Sequence, residues 1–290
     1  AFTILEVSGM CERRLDGRGL SAYRAYLIQE ERAPSTVEKY LRDGRAFAAW
    51  LGDAAVSREA VSAWKANLLA MGQSPVSVNA KLSALNGLFR FLGWEECRAR
   101  LLRLQRRAFR EESKELTREE YQRLLSAARE EGRERLALLL ETICATGIRV
   151  SELRFVTVEA ARRGRADAAL KGKIRTILLP GKLCRKLLKY AGRNKTASGE
   201  VFLTRGGASL SRKQIWREMK GLCQRAGVEP SKVFPHNLRH LFASAFYRAT
   251  QDIVKLADVL GHASINTTRI YLLTAGTEHA RQLERLGLVC

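Results

Sequence analysis

The sequence predicts a mainly α-helical chain in two domains, with a small antiparallel β-sheet in the second. Three observations carry this expectation. Apolar residues recur at helical spacing through most of the 290 residues, a charge-dense stretch near residue 105 interrupts that spacing, and short β-rich runs flank glycine turns in the second half. The expected division is an N-terminal helical domain over 1–104, a linker over 105–114, and a second domain over 115–290 that includes a C-terminal segment.

In the first domain, Pro34-Ser35-Thr36 opens a helix with an apolar face through Val37, Tyr40, Leu41, Phe47, Ala48 and Leu51. Proline suits a first turn, where its missing N–H would have had no partner. Ser57 caps a second helix that runs toward Met71-Gly72. Ser74-Pro75 opens a third, with Val78, Leu82, Leu85, Leu88, Phe89 and Leu92 facing inward. Lys81 and Arg90 fall on its outer face, where a solvated surface is the plain reading and phosphate contact the functional one. Residues 98–114, RARLLRLQRRAFREESK, lack a sustained apolar face, and beyond Leu104 they read as a linker. Thr117 and Glu120 then form a capping box after the apolar Leu116, and Tyr121, Leu124, Leu125 and Ala128 follow at i, i+3, i+4 and i+7.

Further on, strands are expected over 155–158, 166–170 and 174–179, with turns at Arg163-Gly164-Arg165 and Lys171-Gly172-Lys173. Helical spacing returns over 215–223, 238–246 and 253–260.

Composition narrows the function classes. With 46% hydrophobic residues, 28% charged residues and 5 prolines, the chain is neither disordered nor fibrous. It carries 51 Lys+Arg against 30 Asp+Glu, a net charge of +21, so an anionic partner is expected and nucleic acid leads. The charge is unevenly shared: residues 1–112 hold 18 basic against 13 acidic, net +5, and residues 113–290 hold 33 against 17, net +16. No apolar run approaches the roughly 20 residues of a spanning helix, so no membrane partner is expected. Cys11, Cys97, Cys144, Cys184, Cys223 and Cys290 are scattered without a CxxC pair, which reads as reduced structural thiols. Without a basic, apolar secretory leader, the expected location is cytoplasmic, bacterial-type and nucleoid-associated.

Four stretches carry groups suited to chemistry. In Ala145-Thr146-Gly147-Ile148-Arg149-Val150-Ser151-Glu152-Leu153, a glycine break precedes an arginine, and Glu152 lies three residues on, where it can orient the guanidinium. The Lys171-Gly172-Lys173 turn holds an ammonium at a hairpin tip. In His236-Asn237-Leu238-Arg239-His240, His236 and Arg239 share a helical face, and Leu260-Gly261-His262 is followed nine residues later by Tyr271. Taken singly, each has a plain structural explanation; the ordered set does not.

That set resembles the tyrosine recombinase, or phage-type integrase, family in its two-domain Xer-like form. The series ATGIRVSEL, KGK before a β-strand, HNLRH, LGH and TTRIY agrees in order and spacing, including 35 residues from His236 to Tyr271, and spans essentially the second half. Ser35-Thr36-Val37-Glu38-Lys39-Tyr40 and Phe47-Ala48-Ala49-Trp50-Leu51 resemble the family's helical core-binding domain.

The resemblance implies a helical core-binding domain joined to a tyrosine-recombinase catalytic domain. It implies that Tyr271 is the nucleophile, that Arg149 and Arg239 clamp the scissile phosphate, and that His236 accepts the Tyr271 proton. His262 would donate a hydrogen bond to a phosphate oxygen, with Glu152 supporting Arg149. Lys171 would protonate the 5′-hydroxyl; the turn is about a residue shorter than the family's commoner form, so Lys173 remains the alternative. The implied substrate is double-stranded DNA with inverted sites, held by a C-shaped clamp. The implied assembly is a homotetramer linked through residues 277–289, which are amphipathic through Ala280, Leu283 and Leu286. No metal, nucleotide or other cofactor is expected. The biological role would be chromosome dimer resolution or mobile-element integration and excision. The rival functions are a type IB topoisomerase-like nicking and closing enzyme and a non-cleaving DNA-binding protein of the same fold.

Overall fold

The computed structural model describes residues 13–104, 114–170, 173–262 and 264–269, and the side chains of residues 170 and 173 are not described. The chain falls into two compact units, Ala1–Arg106 and Arg107–Cys290. Of the linker predicted over 105–114, residues 105–113 lie outside the described residues.

The first unit contains α1 (Gly17–Gln29), α2 (Pro34–Leu51), α3 (Arg58–Ala70) and α4 (Pro75–Phe91). Prolines at the first positions of α2 and α4, and the Ser57 and Ser74 caps, start the helices as their sequences predict. Helix α1 has weak apolar spacing: only Tyr23 and Leu27 are buried, and Asp16 caps it by accepting from the Gly19 N–H. The core gathers Phe47 edge-on against Trp64 and Phe89, at ring separations of 5.3 and 6.0 Å. Asn79 and Asn86, seven residues apart on α4, each exchange two hydrogen bonds with the backbone of Leu102 and Ala99 at 2.8–2.9 Å. These side chains hold the extended segment after α4 against the helix, satisfying backbone groups that no strand pairs.

The second unit contains α5 (Arg118–Glu130), α6 (Glu134–Thr146), a 3₁₀ helix (Val150–Phe155), α7 (Val158–Arg163), β1 (Arg165–Leu170), β2 (Lys173–Leu178), α8 (Gly181–Arg193), α9 (Arg212–Lys220), α10 (Cys223–Ala226), α11 (Pro235–Thr250), α12 (Ile253–Leu260) and α13 (Ile265–Thr268). The Thr117–Glu120 capping box starts α5 with both reciprocal hydrogen bonds present. Strands β1 and β2 form one antiparallel pair, in register from Arg165↔Leu178 to Leu170↔Lys173.

Two expectations need correction. Residues 155–158 do not form a strand: the 3₁₀ helix ends at Phe155, and Thr157 caps α7 through its hydroxyl, which accepts from Ala160 N–H. Only Thr157↔Glu200 makes an isolated bridge there. A short run of buried apolar residues between two helical turns carries the same β-branched pattern as a strand. The helical pattern at 215–223 is also divided, with α9 stopping at Lys220 before Gly221 and α10 restarting at Cys223.

Among the described cysteines, Cys97, Cys184 and Cys223 are buried thiols and Cys144 is half-buried, none in a disulfide. No helix among the described residues is long and apolar enough to cross a membrane.

Candidate active site

The site is built where two helices end. Helix α6 stops at Gly147 and α12 at Gly261, both in the left-handed conformation with φ of +61° and +63°. The last carbonyls of a helix have no partner within it. Here arginines supply the missing donors. Arg239, on α11 and only 2% exposed, donates to the Gly147 carbonyl through NH1 and to the Leu260 carbonyl at 2.9 Å through NH2. The negative ends of α6 and α12 thereby hold one guanidinium in place.

The glycines permit this convergence. A Cβ on Gly147 would lie 2.4 Å from Phe242 Cδ1, and one on Gly261 would lie 2.3 Å from Arg175 Cδ. The end of α6 packs too closely on Phe242 of α11, and the end of α12 on the Arg175 side chain of β2, for a residue with a Cβ to fit without a shift.

Arg149 precedes the 3₁₀ helix as its N-cap. Its guanidinium donates to Glu152 Oε1 at 3.0 Å, and its backbone N–H to Glu152 Oε2 at 2.8 Å. Glu152 is buried and also accepts from Arg175 NH1 at 2.7 Å. Arg175 in turn donates through NH2 to the Val259 carbonyl.

His262 follows Gly261, and its ring lies between two groups. Arg239 NH2 stands 2.9 Å from Nε2, and Thr268 Oγ1 stands 2.8 Å from Nδ1. A guanidinium has no acceptor, so Nε2 accepts from Arg239, and Nδ1–H donates to the buried Thr268 hydroxyl. Burial first, then Arg239, Arg149, Arg175 and His236, push the His262 pKa down from 6.5 to about 4. The same crowding acts on Arg175, whose pKa is lowered by burial and by Arg239 and Arg149 against the pull of Glu152.

His236 lies in the first turn of α11, beside Pro235, with its ring edge-on to His240 at 4.7 Å. It shares with Arg149 and Arg239 a cleft of about 480 Å³. Ser151, Arg212, Trp216 and Phe234 also line it. The cleft therefore joins cations to apolar walls, an arrangement suited to an anion carried on an apolar frame. Among the described residues, no group of three or more His, Cys, Asp or Glu side chains stands together as a metal site requires.

The structure thus brings Arg149, Glu152, His236, Arg239 and His262 together. Tyr271 and Lys171 lie outside the described residues, as does the segment 277–289. Lys173 begins β2, with only its backbone described. In the first unit, Lys81 is half-buried with its Nζ 6.0 Å from the centre of the Trp64 ring, and exposed Arg90 faces Glu95 at 3.9 Å.

Arg175, Thr268, Arg212 and Trp216 are additions that sequence reasoning missed. Arg175 had a signal in the strand period, since it shares a face with buried Ile177 and Leu179. The alternation is obscured because Ile174 and Leu178, at 80% and 69% exposure, place apolar residues outward.

With this geometry in view, comparison with known proteins is decisive. Residues 114–277 match the family described as the phage integrase family, and residues 20–96 match the phage integrase N-terminal SAM-like domain. The chain belongs to the phage integrase family. It is 31% identical to tyrosine recombinase XerA of Pyrococcus furiosus over 97% of this chain and 98% of the relative. It is 33% identical to tyrosine recombinase XerD of Brucella suis over 82% of this chain and 86% of the relative. The fold resembles a lambda integrase tetramer bound to a Holliday junction, at TM-score 0.72 and 19% identity, over 88% of this chain and 76% of that one. It also resembles the Tn1549 transposon integrase in complex with transposon right end DNA, at TM-score 0.71 and 17% identity, over 93% of this chain and 99% of that one. The protein is a tyrosine-type site-specific recombinase, and this mainly helical fold with its two-stranded sheet is the integrase fold.

The His262 environment gives a prediction in pH. Above pH 6.5 the imidazole is neutral in folded and unfolded chains alike. Between 6.5 and about 4 the unfolded chain binds a proton that the folded chain does not, so stability falls as pH drops through that window. Thermal melts across pH 7.5 to 4 should show a steeper loss for the wild type than for His262→Gln. Parallel profiles would contradict the buried, neutral ring.

Proposed function

We propose that this chain binds double-stranded DNA at inverted sites and exchanges strands through a covalent 3′-phosphotyrosyl intermediate formed by Tyr271. The observation that carries the reading is the cleft itself: Arg149, Arg239 and His236 line one cavity, with His262 in contact with Arg239. Arginine forks fixed before the substrate arrives stabilise charge on nonbridging phosphate oxygens without reorganising. Arg149 is held by Glu152, and Arg239 by two helix-terminal carbonyls.

A free phenol ionises near pH 10, so a tyrosine nucleophile needs a base at neutral pH. His236, at the start of α11, takes its proton as the phenolic oxygen attacks phosphorus. The bond from phosphorus to the 5′-oxygen breaks, and Lys171 gives that oxygen a proton, with Lys173 the alternative donor. The reverse reaction, with the 5′-hydroxyl of a partner strand, rejoins the DNA and conserves the bond energy.

His262 begins this sequence as an acceptor from Arg239. A phosphate bound beside Arg239 takes up that N–H and raises the proton affinity of the ring; Nε2 then takes a proton from solvent and donates it in a hydrogen bond to a phosphate oxygen. On the first unit, Lys81 and Arg90 are the proposed phosphate contacts. The working assembly is a homotetramer linked through residues 277–289.

Strand exchange between two differently labelled sites tests the proposal. Recombinant products that depend on both sites are expected. Relaxation of supercoils without exchange would favour a topoisomerase-like enzyme, and binding without nicking would favour a non-cleaving protein.

A further inference from the structure

Among the described residues, Arg175 is a largely buried cation beside the site that the proposed chemistry leaves without a task. Its side chain is 11% exposed and projects from β2 opposite the small Ala168. It touches two elements at once: NH1 donates to Glu152 Oε2 at 2.7 Å, and NH2 donates to the Val259 carbonyl. Val259 lies in the last turn of α12, three residues before His262. The Arg175 stem fills the space over Gly261, where a Cβ would come within 2.3 Å of its Cδ.

As a stability device this is a poor choice. A buried ion pair returns little net free energy after desolvation, and a well-packed apolar side chain of similar length is often no worse. Here the Nε is also buried without a hydrogen-bond partner, which costs more. What the guanidinium contributes is geometry. Glu152 receives three donors: the backbone and side chain of Arg149, at 2.8 and 3.0 Å, and Arg175 at 2.7 Å. Without Arg175, Glu152 Oε2 keeps only the Arg149 backbone N–H as a donor, and the carboxylate loses its one tie to β2 and α12. Lysine cannot reproduce the arrangement, because one ammonium lacks the planar fork that reaches both a carboxylate and a carbonyl.

We infer that Arg175 is a positioning residue for Arg149, acting through Glu152 and locking that pair to the α12 turn that presents His262. This rests on the recombinase reading above. Because Arg175 acts through another residue, its loss lowers the rate of cleavage and leaves DNA affinity intact.

The test is a double-mutant cycle on the full chain with a nicked suicide substrate, measuring the single-turnover rate of covalent adduct formation and the DNA Kd. Arg175→Met and Glu152→Gln are each expected to slow adduct formation by about 100-fold, the scale of a small misplacement of a reacting group. Kd should stay within about twofold. The double variant should be no slower than the slower single variant, because both remove the same support. Multiplicative losses would overturn the inference, as would a normal rate in Arg175→Met with only the melting temperature lowered. If Arg175→Met does not fold by circular dichroism, the cycle is run with Arg175→Lys, with the same non-additivity expected. Wild type measured alongside separates the two readings: absence of its adduct counts against the recombinase chemistry, whereas a normal wild-type adduct with additive variants counts against Arg175 alone.

Discussion

Arg239→Lys is expected to lower the rate of covalent adduct formation by about 1000-fold, the scale for losing a preorganised charge-stabilising donor. The guanidinium reaches the Gly147 carbonyl, the Leu260 carbonyl and the His262 ring at once. An ammonium has no planar fork to span these acceptors. At least one buried carbonyl is then left unpaired, at a cost of about 1–3 kcal/mol. The variant should therefore melt lower as well as react more slowly. Single-turnover trapping and calorimetry read the two effects separately. A rate within tenfold of wild type would mean that Arg239 does not carry the developing charge.

The second large effect concerns stability. Gly147 has φ of +61°, and an added Cβ would lie 2.4 Å from Phe242 Cδ1. Gly147→Val combines a left-handed backbone penalty of about 1–2 kcal/mol with about 1–3 kcal/mol of overpacking. Gly132 separates the two contributions, because it also has positive φ, at +67°, with nothing within 4 Å of the Cβ position. Calorimetry should show a clearly larger fall in melting temperature for Gly147→Val than for Gly132→Val. Equal falls would mean that the α6–α11 approach is looser than the structure shows. Because the Gly147 carbonyl anchors Arg239, Gly147→Val should also slow cleavage, whereas Gly132→Val should not.

What was legible in the sequence was what depends on near neighbours. Caps at Ser57, Ser74 and Thr117, the prolines that begin α2 and α4, and the antiparallel pair of β1 and β2 are local signals. Helix α1 was missed because a stripe of Tyr23 and Leu27 is too thin to stand out before its packing is known. The run at 155–158 misled because burial on both sides imitates a strand.

The residues of the site were visible as motifs, but their mutual arrangement was not. Nothing local says that Gly147 and Gly261 end helices whose carbonyls converge on Arg239, or that Thr268 meets His262. Those relations come from the close packing of α6, α11 and α12. Arg175 shows the same limit, since its partners Glu152 and Val259 lie 23 and 84 residues away in sequence.

The central claim is that this cationic cleft holds a phosphate for attack by Tyr271. The most direct measurement is to trap the full chain on a suicide substrate, digest protein and DNA, and identify by mass spectrometry the peptide that carries the nucleotide. The expected result is a 3′-phosphonucleotide on the peptide containing Tyr271 and no adduct from Tyr271→Phe. A nucleotide on any other residue, or an undiminished adduct from Tyr271→Phe, would contradict the account.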